Sequence, residues 1–97
     1  MKNWTLEKLQ NGETFITNAK GNSMTPLIKS GQNHKLAPVM WEDCDEDDIV
    51  YCKVKGNFYT HKVKAKNNEK GLLIGNNKGG INGWTKQVYG RVVEIFD

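Results

Sequence analysis

Cysteine, histidine and proline are scarce in this 97-residue chain, with two of each. Cys44 and Cys52 stand at a spacing that fits no zinc or redox motif, and only His34 and His61 could join them, so a metal site is not expected. The two thiols could form one disulfide, but two free cysteines in a reducing compartment are the expectation. Long apolar runs are missing as well, and none approaches the ~20 residues that a membrane-spanning helix needs. The N-terminus, Met1-Lys2-Asn3-Trp4-Thr5, has no apolar signal-peptide segment. These absences lead us to expect a cytoplasmic protein with no cofactor and no membrane partner. No repeat, low-complexity tract or linker divides the chain, so residues 1–97 read as one domain.

Hydrophobic residues make up 37% of the chain and charged ones 26%, which suits a folded domain rather than a disordered one. The net charge of +3 is too mild to point to nucleic acid by itself. The charge is unevenly placed, however. Residues Glu42 to Asp48 hold six acids in seven positions, and lysines gather at 53, 55, 62, 64, 66 and 70. A solvated loop and a solvated strand face are the ordinary explanation. The lysine face, with Trp84 and Tyr89, is still the surface best suited to nucleic acid, through charge and stacking.

Trp4 to Gln10 is predicted to form a short helix ended by Asn11-Gly12. Glu13 to Ala19 reads as a strand, Lys20-Gly21-Asn22 as a turn, and Met24 to Lys29 as one helical turn with Ser23 near its start. Lys35 to Met40 is extended, with Pro38 confining it to an edge or a strand end. The clearest element is a hairpin of Ile49–Lys55 and Phe58–Lys64 around Gly56-Asn57. That loop pairs Lys55 with Phe58, Cys52 with His61 and Val50 with Val63. Side chains alternate along a strand, so Val50, Cys52, Val54, Tyr59, His61 and Val63 share the inner face, with Lys53, Lys55, Thr60, Lys62 and Lys64 opposite. A strand follows at Gly71–Gly75, then a Gly/Asn-rich loop to Gly83, then a strand from Val88 to Phe96. Short strands with glycine-rich turns predict an all-β fold, a small barrel or sandwich with one or two short helical turns.

His61 is thus the one ionisable residue on a face expected to be buried. A buried imidazole satisfied by a backbone carbonyl explains it structurally. A general base explains it chemically, because histidine titrates near neutrality and can take a hydroxyl proton. Ser23 is the candidate nucleophile. A serine opening a helical turn lies among free backbone N–H groups that can stabilise an oxyanion, and Gly21 leaves room for a substrate backbone. A simple N-cap is the alternative for Ser23.

The motif Gly21-x-Ser23-Met24-x-Pro26, followed by Gly31, resembles the nucleophile box of the signal peptidases and the self-cleaving, LexA-like SOS repressors. Asp47-Asp48-Ile49-Val50 resembles the family's Gly-Asp-Ile-Val entry to the next strand, and Tyr59-Thr60-His61-Lys62-Val63 its base-carrying strand. Gly75-Asn76-Asn77 through Gly83-Trp84, then Tyr89-Gly90-Arg91-Val92-Val93, resembles the closing Gly-Asp-Asn loop and final strand. The resemblance spans about residues 21–95. It implies a LexA/signal-peptidase-like β-domain of the small soluble type found in phages and bacteria, acting as a serine endopeptidase on a polypeptide bound as an extended strand. His61 stands where the bacterial members carry a lysine, which resembles the Ser–His branch of the family. A one-residue slip in register would instead turn Lys62 inward and give a Ser–Lys pair.

In the Ser–His branch an aspartate orients the histidine, and Asn82 falls at that position here. An asparagine oxygen can fix the imidazole tautomer but cannot offset the charge of imidazolium. Gln32 stands where the family has aspartate after Gly31 and is read as structural. No membrane anchor, no self-cleavage dipeptide and no DNA-binding segment precede Ser23, so the expected activity is cleavage in trans, with Ser23, His61 and Asn82 as the site. The alternative is an inactive member serving as a peptide- or nucleic-acid-binding module. Cys52, expected opposite His61, reads as a small buried hydrophobe.

Overall fold

The computed structural model describes residues 3–19, 21 and 24–96. The fold is all-β: one antiparallel seven-stranded sheet with a single short α-helix. The helix, α1, spans Trp4–Gln10, as its sequence predicts. The Asn3 side chain caps it by accepting from the Leu6 N–H at 3.0 Å, and Gly12, at φ +81°, turns the chain away beyond Asn11. α1 lies on the sheet through buried Leu9. A Cβ on Gly90 would meet Leu9 Cδ1 at 2.8 Å, so a side chain there would make Leu9 shift. Asn3 Nδ2 also donates to the Tyr51 hydroxyl at 2.8 Å.

The strands are β1 (Phe15–Asn18), β2 (Asn33–Pro38), β3 (Ile49–Val54), β4 (Asn57–Asn67), β5 (Gly71–Gly75), β6 (Ile81–Thr85) and β7 (Val88–Ile95). Their order across the sheet is β1-β2-β7-β3-β4-β5-β6. The sheet curls until β6 returns to β3. There Thr85 Oγ1 donates to the Lys53 carbonyl at 2.7 Å, and the Lys53 N–H donates to the Gln87 carbonyl at 2.9 Å. Inside this curl lies a core of Cys44, Val50, Cys52, Val54, Val63, Leu72, Ile74 and Val88, with Val39, Trp41 and Tyr59 packed against it. Full burial of each Leu, Ile or Val contributes about 1.5–3 kcal/mol. Both cysteines are free thiols, and burial pushes them up, Cys44 to about 11 and Cys52 to about 12.

Two sequence expectations need correction. First, the hairpin loop is Lys55-Gly56, not Gly56-Asn57. Asn57 pairs with Val54, Val50 faces His61, and Cys52 faces Tyr59 rather than His61. Lys55 (φ 51°) and Gly56 (φ 86°) are both left-handed, the two-residue turn that matches strand twist and favours glycine at its second position. Because both ends of the loop move by one residue, strand alternation is preserved and the inner face keeps its members. Val50, Cys52, Val54, His61 and Val63 are all buried. Second, the Gly/Asn-rich stretch before Gly83 is not all loop, since β6 begins at Ile81 and contains Asn82 and Gly83. Met24 to Lys29 makes the single helical turn its sequence predicts, with the Ile28 N–H bonded to the Met24 carbonyl at 3.0 Å.

The acidic run and the lysine strand meet each other. Lys62 pairs with Asp47 at 3.3 Å and Arg91 with Asp48 at 3.7 Å, while Lys66 Nζ donates to the Glu42 carbonyl at 2.7 Å. Such exposed pairs contribute about 0–1 kcal/mol each. Lys53 sits over the Phe58 ring and Lys70 over Trp84, and Tyr89 packs beside Phe58. No helix among the described residues is long and apolar enough to cross a membrane.

Candidate active site

His61 lies on the inner face of β4 with 9% of its surface exposed. Alternation along β4 sends it inward, and Tyr59, two residues earlier on the same face, stacks on its ring at 4.9 Å between centroids. Its Nδ1 lies 2.7 Å from Asn82 Oδ1. With the amide oxygen facing the ring, Nδ1–H donates to Asn82, and Nε2 carries the lone pair that a general base requires.

Asn82 reaches His61 because of a β-bulge. Ile74 pairs with Gly83 and Gly75 with Ile81, so Asn82 is the extra residue of β6 at that point. Bulges redirect side chains in this way. Two glycines permit the arrangement. Gly83 has φ +138°, a conformation side-chain-bearing residues rarely adopt, and a Cβ there would lie 3.3 Å from Val54 Cγ1. A Cβ on Gly75 would meet the Gly80 carbonyl oxygen at 2.5 Å, so the connection from β5 to β6 could not fold back over the end of β5.

That connection is ordered from within. Asn76 Oδ1 accepts from the Lys78 and Gly80 N–H groups, both at 2.8 Å, and the Asn76 N–H donates to the Gly80 carbonyl at 2.9 Å. Its outer end is tied across the molecule, where Asn77 Nδ2 donates to the Thr25 carbonyl at 3.0 Å. The loop that leads into Asn82 is therefore fastened to the chain two positions after Ser23. Ser23 itself and Asn22 lie outside the described residues. Around them, Met24 and Ile28 are buried, the Gly31 N–H donates to the Ala19 carbonyl at 2.8 Å, and the Gly21 N–H donates to Ser30 Oγ at 3.1 Å.

Of the three predicted site residues, His61 and Asn82 are in direct contact. Lys62, the alternative base, is on the opposite face of β4, paired with Asp47. Among the described residues no three His, Cys, Asp or Glu side chains gather closely enough to hold a metal ion.

One buried titratable group escaped the sequence reading. His34, on β2, is 1% exposed, and its Nε2 has no hydrogen-bond partner among the described residues. The alternation of His34 with Leu36 was the signal that both face inward. Gln32 is structural, with Nε2 donating to the Phe96 carbonyl at 2.8 Å and Oε1 accepting from the Lys29 N–H at 2.9 Å. Compared with protein-family models, curated proteins and solved structures, the chain matches none.

Proposed function

We propose that the protein is a serine endopeptidase with a Ser–His pair, cleaving a polypeptide in trans. The observation that carries this reading is the contact between His61 Nδ1 and Asn82 Oδ1 on a buried sheet face. An imidazole held in one tautomer by a residue that a bulge directs toward it is the arrangement a general base needs. The bond from Asn77 to Thr25 adds support, because it ties the Ser-Met-x-Pro segment to the loop that delivers Asn82.

In this mechanism Ser23 Oγ attacks the scissile carbonyl carbon while its proton passes to His61 Nε2. The carbonyl oxygen becomes an oxyanion, stabilised by the Ser23 backbone N–H and a neighbour from the Gly21–Ser23 loop. As the tetrahedral intermediate collapses, the C–N bond breaks and His61 returns the proton to the leaving amine. Water, deprotonated by the same imidazole, then hydrolyses the acyl-enzyme. Asn82 keeps Nδ1–H engaged throughout but brings no negative charge to the imidazolium, so the base is weaker than one backed by aspartate. The substrate lies extended and adds to a sheet edge. A cytoplasmic setting and a phage or bacterial source belong to this reading.

The test is exposure of the native protein, Ser23→Ala and His61→Gln to a library of unstructured peptides, with products read by mass spectrometry. Cleavage by the native chain that both substitutions abolish supports the proposal. Absence of cleavage by a folded native chain across the library would leave a binding module as the better account.

A further inference from the structure

The modest net charge of +3 hides a strong segregation. Between Ile49 and Val93 the chain carries nine lysines and arginines and a single acid, Glu69. Six other acids lie in the run before β3, where Asp47 and Asp48 hold Lys62 and Arg91. Lys53, Lys55 and Lys70 enter no ion pair among the described residues. Glu69 is exposed in the β4–β5 turn, its N–H bonded to Asn67 Oδ1 at 2.8 Å.

The same region gathers aromatic rings. On the outer face of the sheet, opposite buried Val50, Cys52 and Val54, three half-buried rings come from neighbouring strands. Tyr51 of β3 stacks on Phe58 of β4 at 5.6 Å between centroids, and Tyr89 of β7 lies 6.2 Å from Phe58. Lys53 Nζ rests over the Phe58 ring at 5.3 Å. The seam where β6 returns to β3 extends this surface. Thr85 faces inward and bonds the Lys53 carbonyl, so Trp84, one residue earlier, points outward beside the end of β3. Lys55 crosses the backbone there, since a Cβ on Gly83 would lie 3.4 Å from Lys55 Cε. Trp84 is 37% exposed, and Lys70 Nζ rests over its ring at 5.6 Å.

A lysine lying on an exposed ring is held weakly, and stacking of a base on that ring is the stronger contact. Each lysine can swing to a phosphate and leave its ring to a base. Two rings with their own cations, and Lys55 between them, complement a polyanion whose every unit carries a flat ring. A duplex keeps its bases stacked inside, and a lipid headgroup brings charge without a ring. We infer that this outer face binds single-stranded nucleic acid, with Phe58 and Trp84 as stacking platforms and Lys53, Lys55 and Lys70 as phosphate contacts. This function goes beyond peptide cleavage and uses none of Ser23, His61 and Asn82.

The experiment is fluorescence anisotropy of a labelled oligothymidylate of about 12 nucleotides, titrated with the full chain at several salt concentrations. Three further probes are an abasic strand of the same length and charge, a duplex of the same length, and vesicles of anionic lipid. The native chain should bind the oligothymidylate, and log K should fall against log salt with a slope of about −2, as three phosphate contacts require. The abasic strand should bind about five-fold or more weakly. Trp84→Ala should lower affinity for the oligothymidylate about five-fold and leave that for the abasic strand unchanged. Lys53→Gln combined with Lys70→Gln should make the salt slope shallower by about 1.4. No binding at low salt, equal affinity for the abasic strand, or tighter binding to the duplex or to the vesicles would overturn the proposal. If Trp84→Ala does not fold, the two strands compared on the native chain still decide the matter. No peptide enters the measurement, so its result is separate from the fate of the Ser23 reading.

Discussion

Replacing Asn82 by alanine removes the acceptor that lies 2.7 Å from His61 Nδ1. The ring is 9% exposed and the contact is part-buried, so water replaces the lost acceptor poorly. Leaving a buried donor unsatisfied costs about 1–3 kcal/mol, which is the expected loss of stability in Asn82→Ala. The same change frees the tautomer, and the fraction of rings with the lone pair on Nε2 should fall. Urea denaturation measures the first effect, and nitrogen-15 shifts of the His61 ring measure the second. Asn82→Asp works in the opposite sense, because a carboxylate stabilises the imidazolium formed when the serine proton transfers. Hydrogen bonds to charged groups exceed neutral ones by about 1–1.5 kcal/mol, so kcat/KM for any peptide the native chain cleaves should rise about ten-fold. A native urea midpoint and an unchanged ring tautomer in Asn82→Ala would refute this reasoning, because the contact would then contribute neither order nor energy.

Other expectations follow from single features. Gly71→Ala should be among the most damaging single-methyl additions. Gly71 has φ +93° and a Cβ there would lie 2.3 Å from the Thr85 carbonyl oxygen, so a loss of about 1–3 kcal/mol or more in thermal or urea unfolding is expected. Thiol chemistry gives a second check. With Cys44 pushed up to about 11 and Cys52 to about 12, neither should react appreciably with an alkylating reagent near neutral pH until the chain is unfolded, as mass spectrometry would show. Acid should destabilise the fold through His34. Its folded-state value lies below the ordinary 6.5, so the unfolded chain binds the proton first as pH falls. Stability is then complete above about pH 6.5 and declines below it, and His34→Leu should remove that decline in urea titrations.

The helix was legible because its signals are local: an asparagine cap, a helix-forming run and an Asn-Gly stop all lie within ten residues. The inner face of the hairpin was legible for a different reason. Alternation depends only on parity, so it survived an error in placing the turn. The turn itself was misplaced because Lys55 takes a left-handed conformation that its side chain disfavours, and Gly56 fixes the loop one residue earlier. Strand β6 was hidden by composition. Ile81-Asn82-Gly83 reads as loop, yet the bulge and Gly83 are what carry Asn82 toward His61 while the backbone still pairs with β5. The burial of His34 was also missed, because Asn33-His34 looks polar until β2 is seen to lie between β1 and β7. Local chemistry was readable in this chain, and the His61–Asn82 contact between distant strands was legible only through the family resemblance, whereas the pairing of β6 and the burial of His34 were not legible.

The central claim is that Ser23 and His61 act together, and the most direct measurement is the distance from Ser23 Oγ to His61 Nε2 in a crystal of the native protein. The account predicts about 2.6–3.2 Å, or slightly more without substrate, with Nδ1 still bonded to Asn82. A Ser23 hydroxyl bonded to backbone and directed away from the ring, with no space for a substrate carbonyl, would contradict it.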